Sequence, residues 1–126
     1  MKTLLLAFAL VLSSTALAQE VTCSPDADEI ITSIEATTTC YDATTIAENC
    51  AWGSSVDVGI AGAAYGVCLK EAGKLTAADK KLLSTMEKRC AKAWANREGT
   101  MYRSMHSFCK LEALKFVNGV ANAANN

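Results

Sequence analysis

Six cysteines are the residues of this chain best suited to chemistry: Cys23, Cys40, Cys50, Cys68, Cys90 and Cys109. An even number of cysteines in a small exported domain is typical of a disulfide framework. No two of them have the C-x-x-C spacing of zinc sites or haem attachment. The sequence therefore predicts disulfide bonds, and their connectivity is left open at this point.

Other reactive groups are sparse. His106 is the only histidine, so an imidazole metal cluster is excluded, and no nucleophile motif accompanies it. The neighbouring acids Asp26, Asp28 and Glu29 have the positions of helix-capping residues rather than of an acid–base pair. We expect no catalytic residues, no metal site and no cofactor, and hence a protein that is not an enzyme.

Charge is divided unevenly along the chain. Residues 19–69 contain eight acids and no lysine or arginine, whereas residues 70–126 contain eleven bases and five acids. One interpretation is that the two halves attract each other within the fold, another is that an acidic face meets a cationic partner, and both can hold at once. Candidate partner-binding residues, chosen for sign and expected exposure, are Asp26, Asp28, Glu29, Asp42 and Glu48. Nucleic-acid binding is disfavoured because the bases are diluted by acids.

The first 18 residues have the three parts of an export signal. Lys2 precedes an unbroken apolar run, Leu4 to Leu12, and Ala16-Leu17-Ala18 forms a cleavage site. The run is too short to span a bilayer, which needs about 20 residues. We expect cleavage after Ala18, a mature chain without a membrane anchor, and a secreted or periplasmic location.

Residues 19–126 are expected to form a single all-α domain, an irregular, disulfide-stabilised bundle of four to five helices. The expected helices start at Ser24, at about Thr44, at Val56, at Thr76 and at Met101. Thr37-Thr38-Thr39 is expected to end the first helix. The polar tail, residues 118–126, is expected to fray.

Small residues in the third segment recur on one helical face: Gly59, Gly62, Ala63 and Gly66. Each glycine inside a helix costs about 1 kcal/mol relative to alanine. We expect the close approach of another backbone to offset that cost.

A chain reversal near Gly99 predicts one disulfide. Residues equally distant from the turn lie side by side in an antiparallel helical hairpin, which places Cys90 opposite Cys109. In one continuous helix they would lie about 28 Å apart, whereas a disulfide needs Cα atoms within about 7 Å.

Part of the sequence resembles the LprI-type lysozyme-inhibitor family, small exported helical proteins of bacteria. The resemblance lies in the segment from Cys40 to Ala51 and in Cys90 and Cys109 flanking Gly99-Thr100-Met101. Tyr65, which follows Asp57 and Ile60, matches an Asp, Leu, Tyr series of the family. Leu82 and Met86 lie where the family has Trp and Arg-Asp, so no binding residues are carried over.

The resemblance implies a non-catalytic inhibitor, and the acidic half suits a cationic lysozyme-like enzyme as its partner. The alternatives are a carrier of a small apolar ligand, lined by Tyr65, Trp94 and Phe108, and a secreted interaction or effector protein. The sequence does not identify the partner or the oligomeric state.

Overall fold

The computed structural model describes residues 20–126, so the expected signal peptide lies outside the described residues. The described part of the chain contains no β-strand. Its five α-helices confirm the expected all-α class: α1 (Ala27–Glu35), α2 (Cys40–Asn49), α3 (Asp57–Glu71), α4 (Ala77–Trp94) and α5 (Thr100–Ala124). A short 3₁₀ helix (Ala72–Lys74) continues α3. None of these helices is apolar over a length that would cross a bilayer.

The start of α1 differs from the expected one. Asp26, not Ser24, is the N-cap, and its carboxylate accepts a hydrogen bond from the backbone N–H of Asp28 at 2.8 Å. The Ser24 hydroxyl instead accepts from the N–H of Asp26 at 3.0 Å. Aspartate and serine are both good caps, and the helix begins at the later one.

Helix α2 begins earlier than expected. Thr39 caps α2, and its hydroxyl accepts from the backbone N–H of Asp42 at 3.0 Å. The threonine run does follow the end of α1, but its last member also begins the next helix. The expected start near Thr44 is wrong, because the Thr39 side chain caps the helix and lets it begin at Cys40.

The helices pack around α3, which contacts α1, α2 and α5, while α4 packs mainly on α5. The core is built from large side chains of α1, α3 and α5 that are almost completely buried: Ile30, Ile34, Ile60, Leu111, Leu114 and Val117. Burial of one such side chain stabilises a fold by roughly 1.5–3 kcal/mol. The core therefore joins the acidic N-terminal half to the basic C-terminal half.

The glycines of α3 do not share one packing role. A Cβ atom at Gly59 would lie 3.2 Å from Cδ1 of Ile31, so α1 does approach α3 closely there. A Cβ atom added at Gly62 or at Gly66 would have no neighbouring atom within 4 Å. The expected close approach is therefore found at Gly59, where the nearest atom belongs to a side chain, and is not found at Gly62 or Gly66.

Three disulfides connect the described segments. Cys23 is bonded to Cys50, Cys40 to Cys68 and Cys90 to Cys109. The third is the pairing that a chain reversal near Gly99 requires, and its Cα atoms are 5.7 Å apart. Disulfides persist in oxidising environments, so this chain belongs to such a compartment.

The C-terminal helix is longer than expected. α5 continues to Ala124, and Asn118 is only 4% exposed. The Nδ2 of Asn118 donates a hydrogen bond to the carbonyl oxygen of Cys68 at 3.0 Å. The expectation of a frayed tail from residue 118 was therefore wrong, because a buried amide fixes that part of α5 against the end of α3.

Candidate functional site

The N-terminal part of the chain forms an acidic layer, defined here as the segment 20–26 with α1 and α2. Of the eight carboxylates in residues 19–69, Asp57 is buried and the other seven are exposed. Within residues 20–126, the ion pairs shorter than 4.0 Å are Glu48–Lys115 and Glu112–Lys115. The two halves of the chain are thus paired directly at one place only, and most of the acidic layer has no basic counterpart.

Three of the expected partner-binding residues lie in and before the first turn of α1. Asp26 caps the helix, and Glu29 accepts a hydrogen bond from the Ser24 hydroxyl. Asp28 is exposed, and its carboxylate makes no hydrogen bond within the described residues. Carboxylates at a helix N-terminus are favoured by the helix dipole. The structure thus gives Asp26 and Glu29 a role in helix initiation while leaving all three at the surface.

Asp42 lies in a different setting, the α2 groove, a hollow of about 590 Å³ between the N-terminal segment and α2. Glu20 and Asp42 supply its acidic groups, and Tyr41 beside them is 71% exposed. The Thr39 hydroxyl donates to Asp42 at 2.7 Å, which holds the carboxylate in place. An exposed aromatic ring next to two carboxylates is suited to a basic side chain of a partner, through ion pairing and cation–π contact.

Glu48, the fifth expected residue, belongs to a cluster that joins α2 to α5. Its Oε1 is 2.9 Å from Nζ of Lys115, which is also 3.4 Å from Oε1 of Glu112. The hydrogen bond from Glu112, with help from Lys115, lowers the pKa of Glu48, although burial opposes this. The same hydrogen bond, burial and repulsion by Glu48 raise the pKa of Glu112.

Burial disfavours the charged form of Lys115, but hydrogen bonding to Glu48 and attraction by both carboxylates raise its pKa. With Ala51 and Phe108 the cluster lines a hollow of about 430 Å³. Glu48 is therefore already paired with Lys115 within the fold. No local pattern in the sequence indicates its partner, which lies 67 residues away.

The three aromatic residues proposed for an apolar ligand do not share a cavity. Tyr65, Trp94 and Phe108 line three different hollows, of which those of Tyr65 and Trp94 adjoin each other at Val58 and Ser107. The hydroxyl of Tyr65 donates to a carboxylate oxygen of Glu87. Burial and that carboxylate raise the pKa of the Tyr65 phenol.

Asp57 is a buried carboxylate. Its position in the sequence, within an otherwise exposed series of acids, does not indicate its structural role. It accepts hydrogen bonds from the backbone N–H groups of Trp52 and Gly53, each at 2.8 Å, and from the Ser104 hydroxyl at 2.6 Å. Its partners come from the loop before α3 and from α5. Asp57 therefore fixes the loop and α5 relative to the start of α3.

In the described part of the chain, no group of three His, Cys, Asp or Glu side chains is arranged to hold a metal ion. His106 is half-buried and lies in a hollow with Arg97 and Arg103. Compared with family models, with curated proteins and with solved structures, the chain matches none of them.

Proposed function

We propose that this chain is an exported, non-catalytic binding protein that acts outside the cytosol, in the periplasm or the medium. Its acidic layer would bind a cationic protein, most concretely a lysozyme-like enzyme that it inhibits by covering the active-site cleft. The observation that carries the proposal is the surplus of exposed carboxylates in residues 20–69, among which only Glu48 forms an ion pair with another described residue.

Electrostatics suits this role in two ways. A surface of one sign accelerates the encounter with a partner of the opposite sign and disfavours partners of the same sign. Exposed charges are screened over about 8–10 Å at ordinary ionic strength. Binding through the acidic layer should therefore weaken markedly as salt is added.

Electrostatic attraction alone does not anchor an interface. The anchoring contact of this proposal lies in the α2 groove. Interfaces are anchored by a few buried residues, and tyrosine is among those most often found as anchors. Tyr41 is the most exposed of the large apolar side chains in residues 20–126, and it stands beside Asp42. Tyr41 would contact the partner while the surrounding carboxylates orient it.

The function is tested by adding the purified disulfide-bonded protein to a cationic lysozyme in stoichiometric amounts. At low salt we expect loss of lytic activity and formation of a complex with 1:1 stoichiometry, both reversed by high salt. Unchanged lytic activity at low salt, with no complex detected, would rule out the inhibitor.

Matched variants locate the surface. Asp42→Asn and Asp28→Asn remove charge with little change of shape, and Tyr41→Ala removes the proposed anchor. Glu98→Gln removes one exposed charge outside the acidic layer and serves as the control. We expect Tyr41→Ala to weaken binding by about tenfold or more and the two Asn variants to slow association. An equal effect of Glu98→Gln would show that net charge, rather than this surface, is responsible.

One observation favours the alternative function, in which the protein carries a small apolar ligand. A mostly apolar hollow of about 550 Å³ lies between α4 and α5, and its Phe116 is 54% exposed. A solvatochromic dye displaced by a fatty acid, but unaffected by Tyr41→Ala, would support the carrier. Absence of dye binding would dismiss it.

A further inference from the structure

We propose that a second site, on the basic half of the molecule, binds a phosphate or sulfate ester. The site is the hollow between the end of α4 and the start of α5, which we call the basic groove. Its charged and polar lining consists of Arg97, Arg103, His106 and Ser107, and its aromatic walls are Trp94 and Tyr102. This inference does not depend on the proposed function, which concerns the acidic layer.

Arg97 is held in place before any ligand arrives. Its Nε donates to the carbonyl oxygen of Ala93 at 3.1 Å. Its Cζ atom lies 5.5 Å from the ring centroid of Trp94 and 5.4 Å from that of Tyr102. The two rings are stacked, with centroids 6.3 Å apart. Cation–π contacts of this kind fix the plane of a guanidinium.

The terminal nitrogens of Arg97 remain available. They make no hydrogen bond to protein in residues 20–126, and a guanidinium presents several N–H donors in a rigid fork. Such a fork matches the oxygens of phosphate, sulfate and carboxylate groups, and the bonds are strengthened by charge. Because the donor is already oriented, little conformational entropy is lost on binding.

Within the described residues, the arginines of the groove form no ion pair with a carboxylate. Both ion pairs within 4.0 Å in the described part of the chain involve Lys115. Arg97 and Arg103 therefore have no carboxylate at that distance, although Glu98 follows Arg97 in the sequence. Two arginines lining one hollow without a counter-ion favour an anion as the occupant.

A second hollow extends the basic groove along α5. It shares Val58 and Ser107 with the first and adds Gly62 and Lys110. Nζ of Lys110 lies 5.4 Å from the ring centroid of Tyr65. The missing side chain at position 62 leaves this extension open, since a Cβ atom there would meet nothing within 4 Å.

The dimensions select a small ligand. Each of the two hollows, at about 250 and 230 Å³, is smaller than a pocket for a drug-sized ligand, which measures roughly 300–1,000 Å³, and together they reach only the lower part of that range. One hollow accommodates the phosphate or sulfate group together with the atoms bonded directly to it. The extension accommodates a ring such as a sugar. The ligand class is therefore a phosphorylated or sulfated small group rather than a long apolar chain.

The test is an NMR titration of the disulfide-bonded protein, using its backbone amide signals and the indole N–H of Trp94. Three probes are compared. Inorganic phosphate is the free oxyanion, a sulfated disaccharide presents an oxyanion on a sugar, and vesicles containing phosphatidic acid present one on a lipid. We expect shifts confined to the residues around the groove, at the end of α4 and in the first half of α5, and, with the disaccharide, also around Val58 and Gly62 of α3. Saturable shifts with the disaccharide alone would assign a glycan, and with the vesicles alone a lipid headgroup.

The variants separate this site from net charge. Arg97→Gln with Arg103→Gln should weaken binding by about tenfold or more, whereas Lys81→Gln with Lys92→Gln removes the same charge from exposed positions elsewhere on α4. Gly62→Leu should block the extension and weaken binding of the disaccharide but not of phosphate.

The proposal is overturned if no probe shifts these signals, or if both double variants weaken binding equally while remaining folded by circular dichroism. Lysozyme binding should be unaffected by Arg97→Gln with Arg103→Gln, so the two proposals can fail separately.

Discussion

The carboxylate of Asp57 and the hydroxyl of Ser104 are hydrogen-bonded at 2.6 Å inside the protein, although 47 residues separate them. Asp57 is 0% exposed and Ser104 is 6% exposed. The bond links the start of α3 to the first turns of α5 and so helps to place the two halves of the chain.

We expect Ser104→Ala to destabilise the fold by about 1.5–3 kcal/mol, the contribution of a hydrogen bond to a charged group. Asp57→Ala should destabilise it by more, because the N–H groups of Trp52 and Gly53 would also lose their acceptor. The measurement is urea unfolding of the oxidised protein. A smaller loss for Asp57→Ala than for Ser104→Ala would contradict the role of Asp57 in fixing the loop and α5.

The glycines of α3 predict unequal responses to alanine. Gly62→Ala and Gly66→Ala should each stabilise the protein by up to about 1 kcal/mol, since alanine is the better helix former and the space is free. Gly59→Ala should gain less, because its Cβ atom would press on Ile31 at 3.2 Å. Thermal unfolding of the three variants measures these differences in stability. Equal gains at all three positions would show that α1 shifts to accommodate a Cβ atom at Gly59 without a cost in stability.

The Glu48–Glu112–Lys115 cluster predicts a pH dependence. The raised pKa of Glu112 means that its proton stabilises the fold at low pH, and that this contribution is lost as the pH rises through the pKa of the folded state. Glu112→Gln keeps a donor for Glu48 and removes the repulsion. It should stabilise the protein near neutral pH by a few tenths of a kcal/mol, since both carboxylates are largely solvated.

That advantage of Glu112→Gln should shrink as the pH falls, because the wild-type carboxyl then takes up its proton. Glu48 contributes with the opposite sign: its lowered pKa stabilises the fold above the unfolded pKa, and the effect is lost at lower pH. Unfolding curves from acidic to neutral pH, with Glu98→Gln as the control, measure both trends. A gain for Glu112→Gln that is constant with pH would argue against the raised pKa of Glu112.

The disulfide between α4 and α5 closes a short loop. Replacing Cys90 and Cys109 together by serine should destabilise the fold by about 3 kcal/mol, from the entropy that the unfolded chain regains over a separation of 19 residues. Urea unfolding gives the value. If stability were unchanged, the hairpin would be held by packing alone.

Local signals in the sequence predicted the α4–α5 hairpin well. Thr76 begins α4 as expected and forms a capping box with Asp79, and Gly99, with a φ of +117°, lies at the turn. In each case the physical cause is confined to a few neighbouring residues. Thr39 provides the same kind of signal at the start of α2, but a run of three threonines is equally compatible with the end of α1.

What the sequence did not reveal depends on contacts between distant residues. The burial of Asp57 requires Ser104, and the burial of Asn118 requires the carbonyl group of Cys68. The ion pair of Glu48 with Lys115 likewise depends on how α2 meets α5. Composition identified the acidic half, but only the packing shows which of its carboxylates are engaged and which are exposed.

The disulfides divide the backbone into two covalent units. The loops closed by Cys23–Cys50 and Cys40–Cys68 overlap, and the Cys90–Cys109 loop is separate from them. Lys74 lies between the units and is exposed. A single tryptic cut after Lys74 would leave two fragments of opposite charge joined only by their buried interface, separable by denaturant without a reductant. A cut after Arg97 falls inside a loop and would leave its fragments linked.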